Sequence, residues 1–134
     1  MIEFNNVNFE ELTHMDFEEA MKIISHFNNE DYYEELGATV DGKKYELNII
    51  DKSDWIDEGK YQCHDATGML YSIAKDGSVT KYDIAVTQYV SRSGSYFSEY
   101  NYEYEPLEVR RLIQKTIPKQ VIPERTVVTF AEEE

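Results

Sequence analysis

The apolar residues of this chain change their period once, near Asn28, and do not change back. Up to that point Phe17, Ala20, Met21, Ile24 and Phe27 recur at spacings of three and four, which is the stripe of an amphipathic helix. Asp16 and Glu19 have the capping-box spacing, and Glu18 and Glu19 suit the positive end of a helix dipole. A helix is predicted over Asp16–Asn28, with the whole stripe in the core. Beyond Asn28-Asn29 the period is two: Tyr45, Leu47 and Ile49 alternate with Lys44, Glu46 and Asn48, so one strand face is buried and the other wet. One such switch predicts an α+β fold, with a single N-terminal helix packed on a twisted, mainly antiparallel sheet of about five to seven strands.

Turn chemistry divides the sheet region. Asp41-Gly42 accepts the positive φ values of a tight hairpin turn, joining Tyr32–Val40 to Lys43–Asp51. A loop follows over Asp51–Gly59, then a short strand Lys60–His64 and a turn at Thr67-Gly68. Met69–Ala74 and Val79–Val90 form a second hairpin around Lys75-Asp76-Gly77-Ser78. Ser91–Ser95 reads as the next turn and Tyr96–Glu105 as a strand opposite Tyr82–Val90, closed by Pro106. Pro118 and Pro123 forbid a long helix in Leu107–Phe130 and predict edge strands there. Met1–Leu12 reads as a strand or docking arm, and Ala131–Glu134 as a frayed end. The 134 residues show no repeat or linker, so residues 1–134 are taken as one acidic domain, long enough to bury a core unaided.

The net charge of −14 is unevenly placed. Residues 1–67 hold 17 acids and 5 bases, a balance of −12; residues 68–134 hold 10 acids and 8 bases, a balance of −2. Direct binding to nucleic acid is disfavoured, because such a surface must present cations to phosphates. A negative surface attracts and steers basic partners instead. The single cysteine permits no internal disulfide and points to a reducing cytoplasm. No signal-peptide pattern opens the chain and no run of about 18 apolar residues occurs, so neither export nor membrane insertion is expected.

The raw material for catalysis is thin. Cys63 and His64 are neighbours on a predicted strand, point to opposite faces and cannot form a dyad with each other. His14 and His26 flank the helix and serve as surface or cap residues. Asp51, Asp54, Asp57 and Glu58 fail the oxygen spacing and the central glycine of an EF-hand. Glycines are scattered singly in turns, so no phosphate-binding loop is present. The expectation is a binding protein without cofactor, metal site or catalytic residues.

Two features suit binding. In Tyr96–Glu105, Tyr96, Ser98, Tyr100, Tyr102 and Tyr104 line one strand face, while Phe97, Glu99, Asn101, Glu103 and Glu105 line the other. Tyrosine supplies contact area at little entropic cost, and its ring face attracts Arg and Lys. The plainer reading is a half-buried sheet face with solvated acids. The second feature is Glu30, Asp31, Glu34 and Glu35 with Tyr32 and Tyr33, joined by Asp51, Asp54, Trp55, Asp57 and Glu58. Carboxylates held on a rigid hairpin and its flanking loop imitate the spaced charges of a nucleic-acid backbone and fit a groove built for phosphates. Here the plain reading is a charged face turned to water.

The stretches Asp54-Trp55-Ile56-Asp57-Glu58-Gly59-Lys60-Tyr61-Gln62 and Arg92-Ser93-Gly94-Ser95-Tyr96-Phe97-Ser98-Glu99-Tyr100, with the ending Lys119–Phe130, resemble small acidic accessory proteins of bacteriophages and prophages of Gram-positive bacteria. Over residues 40–130 the shared marks are a Ser-Gly-Ser-Tyr turn leading into an aromatic strand and a Val/Pro-rich tail. The resemblance implies expression in the cytoplasm of an infected bacterium and assigns no catalytic residues. By analogy with other small acidic phage proteins it implies an anti-CRISPR-like inhibitor of a basic, nucleic-acid-handling host defence protein. An immunity protein against a toxin nuclease shares the same physics. A phage small-ligand-binding or virion accessory protein stands as the alternative from another class, and a homodimer is left open.

Overall fold

The computed structural model describes residues 2–95, 98–117 and 124–131, and side chains throughout these except at Ser95 and Ser98–Tyr100. Within them a 3₁₀ turn (Phe9–Glu11) and one helix, α1 (Phe17–Ile24), precede eight strands: β1 (Gly37–Val40), β2 (Lys43–Lys52), β3 (Ile56–Asp57), β4 (Gln62–Ile73), β5 (Val79–Ser95), β6 (Ser98–Tyr104), β7 (Glu108–Ile117) and β8 (Arg125–Phe130). Every strand pairing is antiparallel. Helix-on-antiparallel-sheet is therefore the architecture, with more strands than the five to seven expected.

β3 lies inside the expected loop Asp51–Gly59 and the tail supplies β7 and β8, while β4 and β5 run longer than expected. Thr67-Gly68 is not a turn: β4 runs straight through it, merging two expected short strands into one of twelve residues. Gly68 serves a close approach instead, since a Cβ there would lie 2.7 Å from Leu47 Cβ on β2. Ser91–Ser95 is not a turn either. It continues β5 to seventeen residues, because Ser91 and Arg92 pair on both sides, with Gln62–Cys63 of β4 and with Tyr102–Glu103 of β6, and Ser93 and Ser95 pair on with β6. Pairing on two edges outweighs the turn preference of Ser and Gly. The turns at Asp41-Gly42 (φ 51° and 82°) and at Gly77 (φ 88°) are as expected, the latter fixed by Asp76 Oδ1, which accepts from Ser78 N–H at 2.9 Å.

The β4–β5 hairpin is the spine. On the far side of β4 lie β2 and β3; on the far side of β5 lie β7, at Ile84–Thr87, and β6, at Val90–Ser95. β7 then leaves β5 and pairs its second half with β8. The lower half of the sheet is buried on both faces. α1 and the segment 28–36 cover one face through Ile23, Ile24, Phe27, Tyr33 and Leu36 against Tyr45, Leu70, Tyr82, Ile84 and Val86. The N-terminal arm, the second half of β7 and β8 cover the other through Phe4, Leu112, Val128 and Phe130 against Ile50, Met69 and Ala85. The arm thus docks rather than pairs as a strand, apart from one parallel bridge from Thr13 to Tyr82.

The helix is shorter than Asp16–Asn28 and rotated relative to its expected stripe. Ala20, Ile23, Ile24 and Phe27 are buried, while Phe17 and Met21 remain 42% and 49% exposed. The rotation follows from the anchor beneath it: Met15, just before the helix, is buried and its N–H donates to Asp83 Oδ1 at 3.0 Å. Asp83 Oδ2 accepts from Arg111 Nη1 at 2.7 Å and lies 2.9 Å from His14 Nδ1, and Arg111 Nη2 donates to Met15 C=O at 2.8 Å. Among the described residues no helix is long and apolar enough to cross a membrane. Pro118, Val121, Ile122, Pro123 and Glu132–Glu134 lie outside the described residues.

Candidate functional site: an aromatic face bordered by carboxylates

Above the helix the sheet continues as β4, β5 and β6, and the cross-strand register decides which side chains share a face. His64, Val90 and Tyr104 are directly opposite one another, as are Gln62, Arg92 and Tyr102. They stand in phase with Ile84 and Val86, on the side that carries the helix. Trp55 folds over this row from the segment between β2 and β3. Its ring centroid is 4.9 Å from that of His64 and 6.2 Å from that of Tyr102, and the Arg92 guanidinium lies 3.9 Å from it. Arg92 Nε donates to Gln62 Oε1 at 2.8 Å, which fixes the cation over the indole.

The acidic segment closes the same face from below. Three local bonds set its course: Asp31 N–H to Asn28 C=O, Glu30 N–H to Asn28 Oδ1, and Glu35 N–H to Tyr32 C=O. Gln88, fully buried on β5, pins it to the sheet by donating Nε2 to Asp31 C=O at 2.7 Å. Tyr32 and Tyr33 turn inward onto the buried His64, with ring centroids 6.0 and 5.5 Å away, and Glu30, Glu34 and Glu35 are left in solvent.

Electrostatics ties the two parts together. The Tyr104 hydroxyl is pushed above the ordinary tyrosine range by burial first, then by Tyr102 and by the carboxylates of Asp31, Glu35 and Glu30. Tyr32 is raised further, by burial, then by its hydrogen bond and proximity to Tyr33, then by Glu34 and Tyr102. Both hydroxyls therefore stay protonated at neutral pH. Half-buried Tyr104 and Tyr102, 44% exposed, have ring centroids 6.4 Å apart.

The fold thus brings together Glu30, Asp31, Glu34, Glu35, Trp55, Tyr102 and Tyr104. Asp57 is opposite Gln62 and joins the same side. It does not bring in the others. Asp51 is opposite Thr67, on the face of the N-terminal arm. Glu103 is opposite Ser91, and Glu105 lines a hollow of about 170 Å³ with Ile56, Cys63 and Tyr89, so these two acids belong to the reverse face. Asp54 and Glu58 are exposed on either side of β3. Tyr96 and the side chains of Glu99 and Tyr100 lie outside what the structure describes. The acids that border the tyrosines consequently come from segment 28–36 and not from the tyrosine strand. Cys63 and His64 do face opposite ways. Arg92, Gln62 and His64 were not expected in the site. Continuing the period of two from Gln88 and Val90 would have found Arg92, had Ser91–Ser95 not read as a turn.

Compared with protein-family models, residues 9–132 match the family described as Phage T4 Y04K protein. The chain belongs to the Phage T4 Y04K protein family. The matched region takes in α1, all eight strands and every residue of the aromatic face. No curated protein matches, and no solved structure matches. Membership of the Y04K family bears out the phage part of the resemblance; it carries neither a Gram-positive host nor an inhibitory activity.

Proposed function

We propose that this Y04K-family protein is a phage-encoded inhibitor that binds a basic, nucleic-acid-handling host defence protein. It acts in the cytoplasm of the infected bacterium, in the anti-CRISPR manner, by occupying the partner's nucleic-acid groove or blocking its activation. One observation supports this reading above the rest: Tyr102 and Tyr104 stand side by side with Asp31, Glu35 and Glu30 acting on the Tyr104 hydroxyl. Carboxylates at the border steer a cationic surface and raise its rate of association. Tyrosines at the centre supply the desolvated anchor that long-range charge does not. The indole of Trp55 is not a further cation site, because Arg92 already covers it.

The test is capture from a nuclease-treated bacterial lysate by the immobilised protein, followed by kinetics on the captured partner. Association is expected to slow steeply between about 0.05 and 0.5 M salt, as charges farther apart than ~10 Å become screened. Tyr102→Ala is expected to weaken binding by about tenfold or more, with Lys43→Ala, on the exposed hairpin at the other end of the sheet, unchanged. Recovery of nucleic acid alone, or an affinity indifferent to both salt and Tyr102, would end the proposal.

A further inference from the structure

The face turned away from Trp55 carries a second group of side chains. Along β5, Tyr89, Ser91 and Ser93 alternate with the residues of the aromatic row and so project from the opposite side of the sheet. Glu103 and Asn101 are directly opposite Ser91 and Ser93 on β6 and share that side. The face is open at this height: Tyr61 is 48% and Tyr89 36% exposed, and Ser93, Asn101 and Glu103 stand in solvent. Two hollows adjoin there. One, of about 290 Å³, is lined by Lys60, Tyr61, Ser91, Ser93, Asn101 and Glu103, and is bordered by Arg92, whose guanidinium is engaged over Trp55. The other is the hollow of about 170 Å³ that holds Ile56, Tyr89 and Glu105, and Ser91 belongs to both. Among the described residues no hydrogen bond or ion pair engages the side chains of Lys60, Tyr61, Ser91, Ser93, Asn101 or Glu103.

We infer that these joined hollows bind a neutral oligosaccharide, laid across Ser91 with one sugar ring on Tyr61 and another on Tyr89. The polar set selects the class. An ammonium donates, a carboxylate accepts, an amide does both and hydroxyls do either. An anion in the larger hollow meets Glu103, and a cation meets Lys60. A ligand with hydroxyls on successive atoms suits both, one donating to Glu103 while its neighbour accepts from Lys60 or Asn101. Concave sites combine such a few polar groups with aromatic walls, and the C–H side of a pyranose packs on a tyrosine ring by dispersion. Spacing selects the length. Asp65 is directly opposite Tyr89, so four residues of β4 separate Tyr61 from the level of Tyr89, about 13 Å at the rise of a strand. One sugar ring is too short for that distance, and a short oligosaccharide spans it. The site lies on the opposite side of the sheet from the aromatic face and does not depend on the function proposed above.

The test titrates the intact protein with maltotriose, cellotriose, mannotriose and tri-N-acetylchitotriose and follows its amide resonances. At least one sugar is expected to shift Ser91, Ser93 and Glu103 saturably. The affinity is expected to be the same at about 0.05 and 0.5 M salt, since a neutral ligand carries no charge to be screened. Tyr61→Ala and Glu103→Ala are each expected to weaken binding by about tenfold, and Asn101→Ala by about threefold. Tyr61→Phe, which keeps the ring, is expected to bind almost as the parent does, and Lys43→Ala, at the other end of the sheet, to bind as the parent does. No saturable shift with any of the four sugars overturns the inference, as do shifts confined to the aromatic face. Binding that Tyr61→Ala and Glu103→Ala leave untouched overturns it too. So does a salt-sensitive response of the same amides to tetra-arginine with none to the sugars, which would make this face a docking surface for a basic peptide. The function proposed above stands or falls on its own salt and Tyr102→Ala measurements.

Discussion

The Arg92 guanidinium lies 3.9 Å from the centroid of the Trp55 ring, held there by a 2.8 Å bond from Nε to Gln62 Oε1. An arginine on the fifth strand thereby holds down an indole from the segment before the third, and the indole in turn covers the buried His64. Replacing Arg92 by Ala removes an attraction of about 0.5–1 kcal/mol together with the Gln62 bond. The expected loss is about 1 kcal/mol in chemical denaturation. Trp55 is the single tryptophan, so its emission is expected to move to the red in the same variant. Unchanged emission would mean that Trp55 is held by packing on His64 and Tyr102 alone.

Asp83 is the hub that fastens the N-terminal segment to the sheet. Asn in its place keeps the shape and removes the charge that Arg111 faces at 2.7 Å, with both side chains largely out of water. Leaving a mostly buried guanidinium unpaired is expected to cost about 2–4 kcal/mol. Hydrogen exchange at the Met15 amide, which donates to Asp83 Oδ1, is expected to accelerate more than exchange within β4. Equal acceleration throughout would mean global loss and not release of the arm.

Tyr71 and Glu46 predict how stability varies at the two ends of the pH range. The Tyr71 hydroxyl, 2.7 Å from Glu46 Oε2, is pushed up to about 12, by burial first and then by Glu46. A raised folded value means that this contribution is complete below about 10 and is lost as pH rises from there towards 12. Glu46 is lowered, first by the Tyr71 hydroxyl and then by Lys44. Its contribution is present above the ordinary carboxyl value and fades as pH falls through the depressed one. Tyr71→Phe is expected to flatten both limbs in urea titrations at pH 3 to 12. Limbs as steep as in the parent chain would remove this pair as their cause.

Gly68→Ala tests the close approach of β2 to β4. The added methyl meets Leu47 Cβ at 2.7 Å and Leu47 Cδ1 at 3.3 Å, and a Cβ contact yields only if the strand shifts. Overpacking of this kind is expected to cost about 1–3 kcal/mol, against about 0.4–1 kcal/mol gained from a stiffer unfolded chain. Tm is therefore expected to fall; a rise would show that the two strands separate freely there.

The elements whose signals are local were legible in advance. Asp41-Gly42 sets its turn by φ preference, and Asp76-Gly77 by the positive φ of Gly77 and the Asp76 bond to Ser78, and Tyr45, Leu47 and Ile49 took the buried face that alternation gives them. Thr67-Gly68 and Ser91–Ser95 misled for one reason. Their turn composition is a weak preference, and ladder pairing along two edges of a strand outweighs it. Losing those two turns lengthened β4 and β5 and carried Arg92 onto the face where Trp55 sits.

What the sequence by itself determined is the kind of molecule: one helix, then antiparallel strands, a strong negative balance, and tyrosines in phase on one strand. Those properties follow from period, turn chemistry and charge, each of which acts over a few residues. Tertiary structure decided which acids share a face with which tyrosines. Glu103 is one residue from Tyr102 and Tyr104 and points the other way, while Asp31, some seventy positions earlier, acts on the Tyr104 hydroxyl. A pleat separates sequence neighbours by rule; only the docking of segment 28–36 through Gln88 sets carboxylates beside the aromatic row.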